Sequence, residues 1–169
     1  FFYAIFIVAK TVITSVEQTN IYMAIFFNTI PPLIFDMPQK MPTKKWLAAL
    51  VAHHSPLQKI GNLNYQFCTD EYLLALNKKY LKHKTLTDII TFDLHEKEDQ
   101  ISGDLFISLE RVRDNALTYH VPEMEELRRV MAHGLLHLLG YGDKTKIEEF
   151  QMRHLEEEAL QIWRDRQKT

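Results

Sequence analysis

The chain has 169 residues, 46% of them hydrophobic and 25% charged, the size and composition of one globular domain with a substantial core. Its net charge of −2 excludes a uniformly basic nucleic-acid coat. A single cysteine, Cys68, excludes an intrachain disulfide and fits a reducing compartment.

Phe1 to Ala9 is an apolar run closed by Lys10, well short of the roughly 20 residues a membrane helix needs. Residues 1–22 are expected to be an upstream extension or fragment artefact, with one domain from 23 to 169; the first methionine is Met23. Residues 24–30 read as a strand stopped by Pro31 and Pro32. Thr43 is the expected N-cap of a helix to His53, with Trp46, Leu47, Leu50 and Val51 on one face. Leu63, Tyr65 and Phe67 alternate with Asn64, Gln66 and Cys68 as a half-buried strand. Thr69 caps a helix expected to reach Leu81 and to bury Leu73, Leu74, Leu76 and Tyr80. Ile90, Phe92 and Leu94 alternate as another strand, and after a charged turn so do Leu105, Ile107 and Leu109. Val112, Ala116 and Tyr119 follow at helical spacing.

Pro122, Glu123, Glu125 and Glu126 open a helix whose acidic first turn suits its dipole; it continues to Leu139 and stops at Gly140. Thr145 and Glu148 form a capping box for a last helix bearing Ile147, Phe150, Leu155, Ala159 and Ile162. Strands and helices are interspersed without repeat or linker. This predicts a single α/β (α+β) domain, a small mixed sheet flanked by helices.

Eight histidines are present, and two of them stand out. His133 and His137 are four apart, so on a helix their imidazoles lie on one face and can converge on one metal ion. Gly140 permits a chain reversal, after which Asp143 can return a carboxylate to the same ion. Two histidines and a carboxylate leave an open position for water. The spacing equals that of the zinc-protease pattern H-E-x-x-H-x-x-G-x-x-H, with Gly134 in place of the base Glu and Asp143 in place of the third His. His154 and His120 are weaker alternatives as ligands. His53 and His54 end a helix and are assigned no chemistry.

Three stretches together resemble the YbeY family of bacterial rRNA maturation factors, described as single-strand-specific endoribonucleases. His133-Gly134, Leu136-His137-Leu138 and Gly140-Tyr141 match its metal motif. Leu76-Asn77-x-x-Tyr80 followed by Thr87-Asp88-Ile89-Ile90-Thr91-Phe92 is similar to a second motif, and Gly103-Asp104-Leu105-Phe106-Ile107-Ser108 to a third. The resemblance covers about Leu63 to Trp163. It implies a zincin-like helix carrying one zinc ion on His133, His137 and Asp143. It also implies single-stranded ribosomal RNA as substrate, cleavage in small-subunit 3′ end maturation, and the small ribosomal subunit with its assembly factors as cytoplasmic partners. No membrane role is implied, and no side chain is assigned as the catalytic group: the nucleophile expected is a water activated by the metal. Two positions depart from the family. Asp143 stands where the family has its third His, and Leu81 where it commonly has an Arg. Without that guanidinium, a bidentate hold on phosphate is missing at this position.

Lys78, Lys79, Lys82, His83 and Lys84 adjoin that position and are candidate RNA contacts. Arg128 and Arg129 are expected to be surface charges. Thr87, Asp88 and Asp104 are expected to pin loops through side-chain hydrogen bonds. Two other readings stay open: a non-catalytic, metal-stabilised ribosome-assembly factor, suggested by Leu81, and a metalloprotease, which the absence of Glu at position 134 disfavours.

Overall fold

A computed structural model describes residues 24–82 and 85–168. The reading of residues 1–22 as an extension lies outside the described residues, as do His83 and Lys84. In chain order the elements are β1 (Ile25–Thr29), α1 (Lys40–His54), β2 (Lys59–Cys68) and α2 (Asp70–Leu76), which ends in a π-helical turn at Asn77–Leu81. Then come β3 (Ile89–Asp93), β4 (Gln100–Ser108), α3 (Leu109–Tyr119), α4 (Glu123–Leu138) and α5 (Lys146–Arg166). The four strands form one mixed sheet in the order β1-β2-β4-β3. β1 and β4 are parallel to β2, and β3 is antiparallel to β4. The architecture is the expected α+β one.

The alternation in β2 divides the core. Leu63, Tyr65 and Phe67 join Trp46, Leu47 and Leu50 of α1, Leu127, Met131 and Leu135 of α4, and Ala159 and Trp163 of α5 in the main cluster. Cys68 faces the other side and packs with Leu73 of α2 and Ile90 of β3. The Trp46 indole donates to the Ala159 carbonyl at 2.7 Å and meets Trp163 edge-on, which ties α1 to α5. Helix α4 lies close against β3 and β4 because position 134 has no side chain: a Cβ there would stand 2.4 Å from Ile89 Cδ1 and 2.7 Å from Leu105 Cδ2.

The family-like motifs have structural work in this fold. Asn77 donates to the Thr85 carbonyl at 2.8 Å and so holds the loop after the π turn. Asp88 accepts from Asn115, and Asp104 accepts from Asn64 at 2.7 Å. Thr87 donates to the Ile89 carbonyl. At Gly103 a Cβ would meet Leu138 and the Phe92 carbonyl at 2.8 Å, so this glycine permits close approach of α4 and β3. The Ser108 hydroxyl accepts from the Arg111 amide and caps α3.

Several expectations are corrected. Thr43 is not a cap: α1 starts at Lys40 after Gln39, and Thr43 is fully buried inside it. Pro42 falls in the first turn, where its missing N–H belongs to the set that has no intrahelical acceptor. Leu109 opens α3 rather than ending a strand. Leu94 lies beyond β3, which ends at Asp93, and is exposed. Tyr80 and Tyr119 are also exposed, although the Tyr80 ring packs edge-on against Phe92. Ile147 and Phe150 are exposed because the buried face of α5 runs through Met152, Leu155, Glu156, Ala159 and Trp163. At 3.6 residues per turn, positions 147 and 150 fall on the other side.

Candidate metal centre

Helix α4 carries both histidines. Its end is a Schellman turn: the Gly140 amide donates to the His137 carbonyl and the Tyr141 amide to the Leu136 carbonyl, with Gly140 at φ 92°. Three residues on, the capping box takes over. Thr145 Oγ1 accepts from the Glu148 amide, while the Glu148 carboxylate accepts from the amides of Thr145 and Lys144. Asp143 is thus held between two fixed chain ends.

His133, His137 and Asp143 come together as expected. His133 Nε2 and His137 Nε2 are 3.0 Å apart, and Asp143 Oδ2 lies 3.7 Å from the first and 3.5 Å from the second. Two donors bound tetrahedrally to one zinc ion at about 2.0–2.1 Å stand roughly 3.4 Å apart, so the triangle has the size that ion requires.

The partners of the outer ring nitrogens sharpen this. His137 Nδ1 lies 2.9 Å from the Tyr141 carbonyl, and His133 Nδ1 lies 2.7 Å from Glu156 Oε1. A carbonyl and a carboxylate accept only, so these contacts assign both ring hydrogens to Nδ1. In their neutral form the two imidazoles present bare lone pairs at Nε2, face to face. Lone pairs repel at that distance unless a cation lies between them. A ring whose far nitrogen donates to a carbonyl or carboxylate is the usual arrangement of a metal-bound histidine.

Glu156 is almost wholly buried. Burial pushes its carboxyl up, but the hydrogen bond to His133 and the charge of Arg129 outweigh this and hold it below its ordinary value. Arg129 donates to Glu156 at 3.0 Å and to Glu126 at 2.7 Å, and lies 3.4 Å from Asp88. Burial alone would lower the Arg129 pKa; Glu126 and Glu156 raise it above its ordinary value. Arg129 is therefore a half-buried bridge between Glu126 and Glu156, not the surface charge expected. Arg128 stacks on Trp163, 4.0 Å from the ring centre, and is likewise part of the packing.

The centre opens into a cleft of about 570 Å³ whose wall includes Tyr119, Arg129, His133, Asp143, Arg153 and Glu156. Lys78, Lys79 and Lys82 are exposed but do not line it. His154 is exposed, and neither it nor His120 joins the metal-capable group among the described residues. Glu156, Arg153 and Tyr119 were not legible as site residues from spacing alone. Glu156 did leave a signal: it is a charge on the face of α5 that Met152, Leu155 and Ala159 mark as buried.

Comparison with known proteins agrees with this picture. The family described as Endoribonuclease YbeY matches residues 36–164. A relative from Flavobacterium psychrophilum, named Endoribonuclease YbeY, is 43% identical over 133 residues, covering 79% of this chain and 93% of its own. One from Cytophaga hutchinsonii with the same name is 45% identical, covering 76% of this chain and 88% of its own. One from Porphyromonas gingivalis is 47% identical, covering 69% and 75%. The solution structure of TM1509 from Thermotoga maritima shares the fold, with a TM-score of 0.54 and 23% identity over 84% of this chain and 93% of that one. With its motifs in order, its α+β fold and these relatives, the chain belongs to the YbeY family.

Proposed function

We propose that the protein is a zinc-dependent endoribonuclease that cuts single-stranded RNA in ribosomal RNA maturation, with His133, His137 and Asp143 as the metal ligands. The observation that carries the proposal is the facing pair of Nε2 atoms, 3.0 Å apart with both Nδ1 hydrogens committed elsewhere. The family match supports RNA as substrate; small-subunit 3′ end maturation, with the small ribosomal subunit and its assembly factors as cytoplasmic partners, is part of the proposal. Among the described residues no helix is long and apolar enough to cross a membrane.

A divalent ion at this centre supplies Lewis acidity and an activated water. The chain supplies the rest. Glu156 and the Tyr141 carbonyl orient the two imidazoles. Arg153 reaches the cleft wall and has no ion pair among the described residues, so its guanidinium is free to hold a phosphate. It offers from α5 the charge that Leu81 does not supply at the family's Arg position. Tyr119, exposed at the same cleft, is a ring on which an unpaired base can stack. Lys78, Lys79 and Lys82, outside that cleft, then serve a more distant stretch of backbone, and His83 and Lys84 are proposed with them only as their neighbours in sequence.

Gly134 argues for a nuclease over a peptidase. Where zinc proteases place their base, this helix packs on Ile89 and Leu105, and a side chain there would enter the core, not the cleft. The test is cleavage of single-stranded RNA by the purified protein and by His133→Ala. Metal-dependent cutting that is abolished in the variant is expected; equal residual cutting by both would overturn the proposal. Restored ribosome maturation in a deletion strain by His133→Ala protein would favour the assembly-factor reading instead.

A further inference from the structure

We propose that the protein holds a second divalent transition-metal ion, on His53, His54 and Glu158. The sequence placed the two histidines at a helix end and gave them no role. The fold brings them to a carboxylate on α5. Each of the three offers one ligand atom, and these atoms lie within 4.8 Å of one another. His53 Nε2 is 3.0 Å from Glu158 Oε1. The juxtaposition is rigid, because Trp46 of α1 donates to the carbonyl of Ala159, the residue next to Glu158, and packs on Trp163.

An exposed His53–Glu158 ion pair accounts for two of the three groups and is worth little to stability. It leaves His54 unexplained. That ring packs edge-on against Tyr141, and its Nδ1 faces the Tyr141 hydroxyl at 3.3 Å. Its Nε2 is buried and has no hydrogen-bond partner among the described residues. A buried polar atom without a partner marks a place where an ion or water belongs. Two imidazoles and one carboxylate are a borderline donor set that suits zinc and its neighbours, not calcium or magnesium. His53 and Glu158 are partly exposed, so solvent can complete the coordination. Tyr141 links this site to the first: its hydroxyl meets His54, and its carbonyl accepts from His137.

Equilibrium dialysis of the full chain against zinc, with metal counted by elemental analysis, tests the proposal. The wild type is expected to bind two equivalents, and His53→Ala and Glu158→Gln one each. His133→Ala, which touches only the first centre, is expected to keep one, and His53→Ala/His133→Ala none. Circular dichroism checks that each variant is folded. A single equivalent in the wild type that His133→Ala loses and His53→Ala keeps, or two that persist in both His53→Ala and Glu158→Gln, would overturn the proposal. A second equivalent that disappears with His53 while His133→Ala keeps both would sustain this site and refute the first.

Discussion

Glu156 reaches from α5 to α4 and accepts the Nδ1 hydrogen of His133 at 2.7 Å. One imidazole of the proposed metal centre is therefore held by a buried carboxylate on a different helix, and that carboxylate is itself held by Arg129 at 3.0 Å. Partners of this kind fix the ring and raise its basicity as a ligand. Glu156→Gln keeps the shape and removes the charge. Its zinc affinity is expected to fall about 10- to 100-fold, measured by competition with a chromophoric chelator. An unchanged affinity would mean that Glu156 serves only to neutralise Arg129.

The local signals in the sequence held where they were self-contained. The Thr145 and Glu148 capping box and the Gly140 reversal are both present, because each depends on a few neighbouring residues. The convergence of His133 and His137 follows from helical geometry, which is equally local. What spacing could not show is how α5 and α1 approach α4. Glu156, Arg153 and the pairing of His54 with Tyr141 depend on that docking, which is set by Trp46, Trp163 and the core between them. Thr43 misled because a preferred capping residue lay next to Pro42, and the helix had in fact begun two residues before the proline.

Gly134 is the contact on which α4 seats against the sheet. Gly134→Ala gains about 1 kcal/mol in helix propensity. Its Cβ, however, would fall 2.4 Å from Ile89 Cδ1 and 2.7 Å from Leu105 Cδ2. Both side chains are buried in the main cluster, so making room costs about 1–3 kcal/mol. A net destabilisation of about 1 kcal/mol is expected from denaturant unfolding. A gain would show that the helix has slack against the sheet.

Removing the metal should separate activity from fold. The main core lies between the sheet and α1, α4 and α5 and includes none of the three ligands. Chelation is expected to abolish RNA cleavage and leave the far-ultraviolet circular dichroism unchanged. Each ion held at about 100 times its Kd stabilises by roughly 2.7 kcal/mol, so the melting temperature should fall by roughly 5–10 °C for each ion removed. Loss of helical signal on chelation would instead make the ion part of the fold.

Cys68 reports on the opposite face of the sheet. It is fully buried, and burial, with Asp70 and Glu110 nearby, pushes its thiol up to about 12. In the unfolded chain it ionises near about 8.5. Its raised folded value therefore contributes stability that is full below that pH and is lost as pH rises toward 12. The thiol should resist a disulfide reagent at mild alkaline pH until the chain unfolds. Wild type should also lose stability faster than Cys68→Ala as pH rises from 9 to 12. Rapid labelling of the folded protein would contradict the packing of Cys68 with Leu73 and Ile90.

Arg153 and the lysines of the π turn make different predictions for RNA. Arg153 shares the cleft with His133 and Asp143, so it can meet the phosphate nearest the reacting bond. Lys78 and Lys79 lie outside that cleft, and the Lys79 ammonium sits 4.9 Å from the Tyr80 ring centre. Arg153→Ala should lower kcat/KM by about 10- to 100-fold, in keeping with removal of one charge-assisted hydrogen bond of about 1.5–3 kcal/mol, with zinc content unchanged. Lys78→Ala/Lys79→Ala should mainly raise KM and reduce the slope of log affinity against log salt by about one for each phosphate no longer neutralised. Arg153→Lys is the sharper control: it keeps the charge and gives up the fork, so partial rescue is expected. Full activity in Arg153→Ala would remove the guanidinium from the cleft's work and leave the phosphate to the lysines.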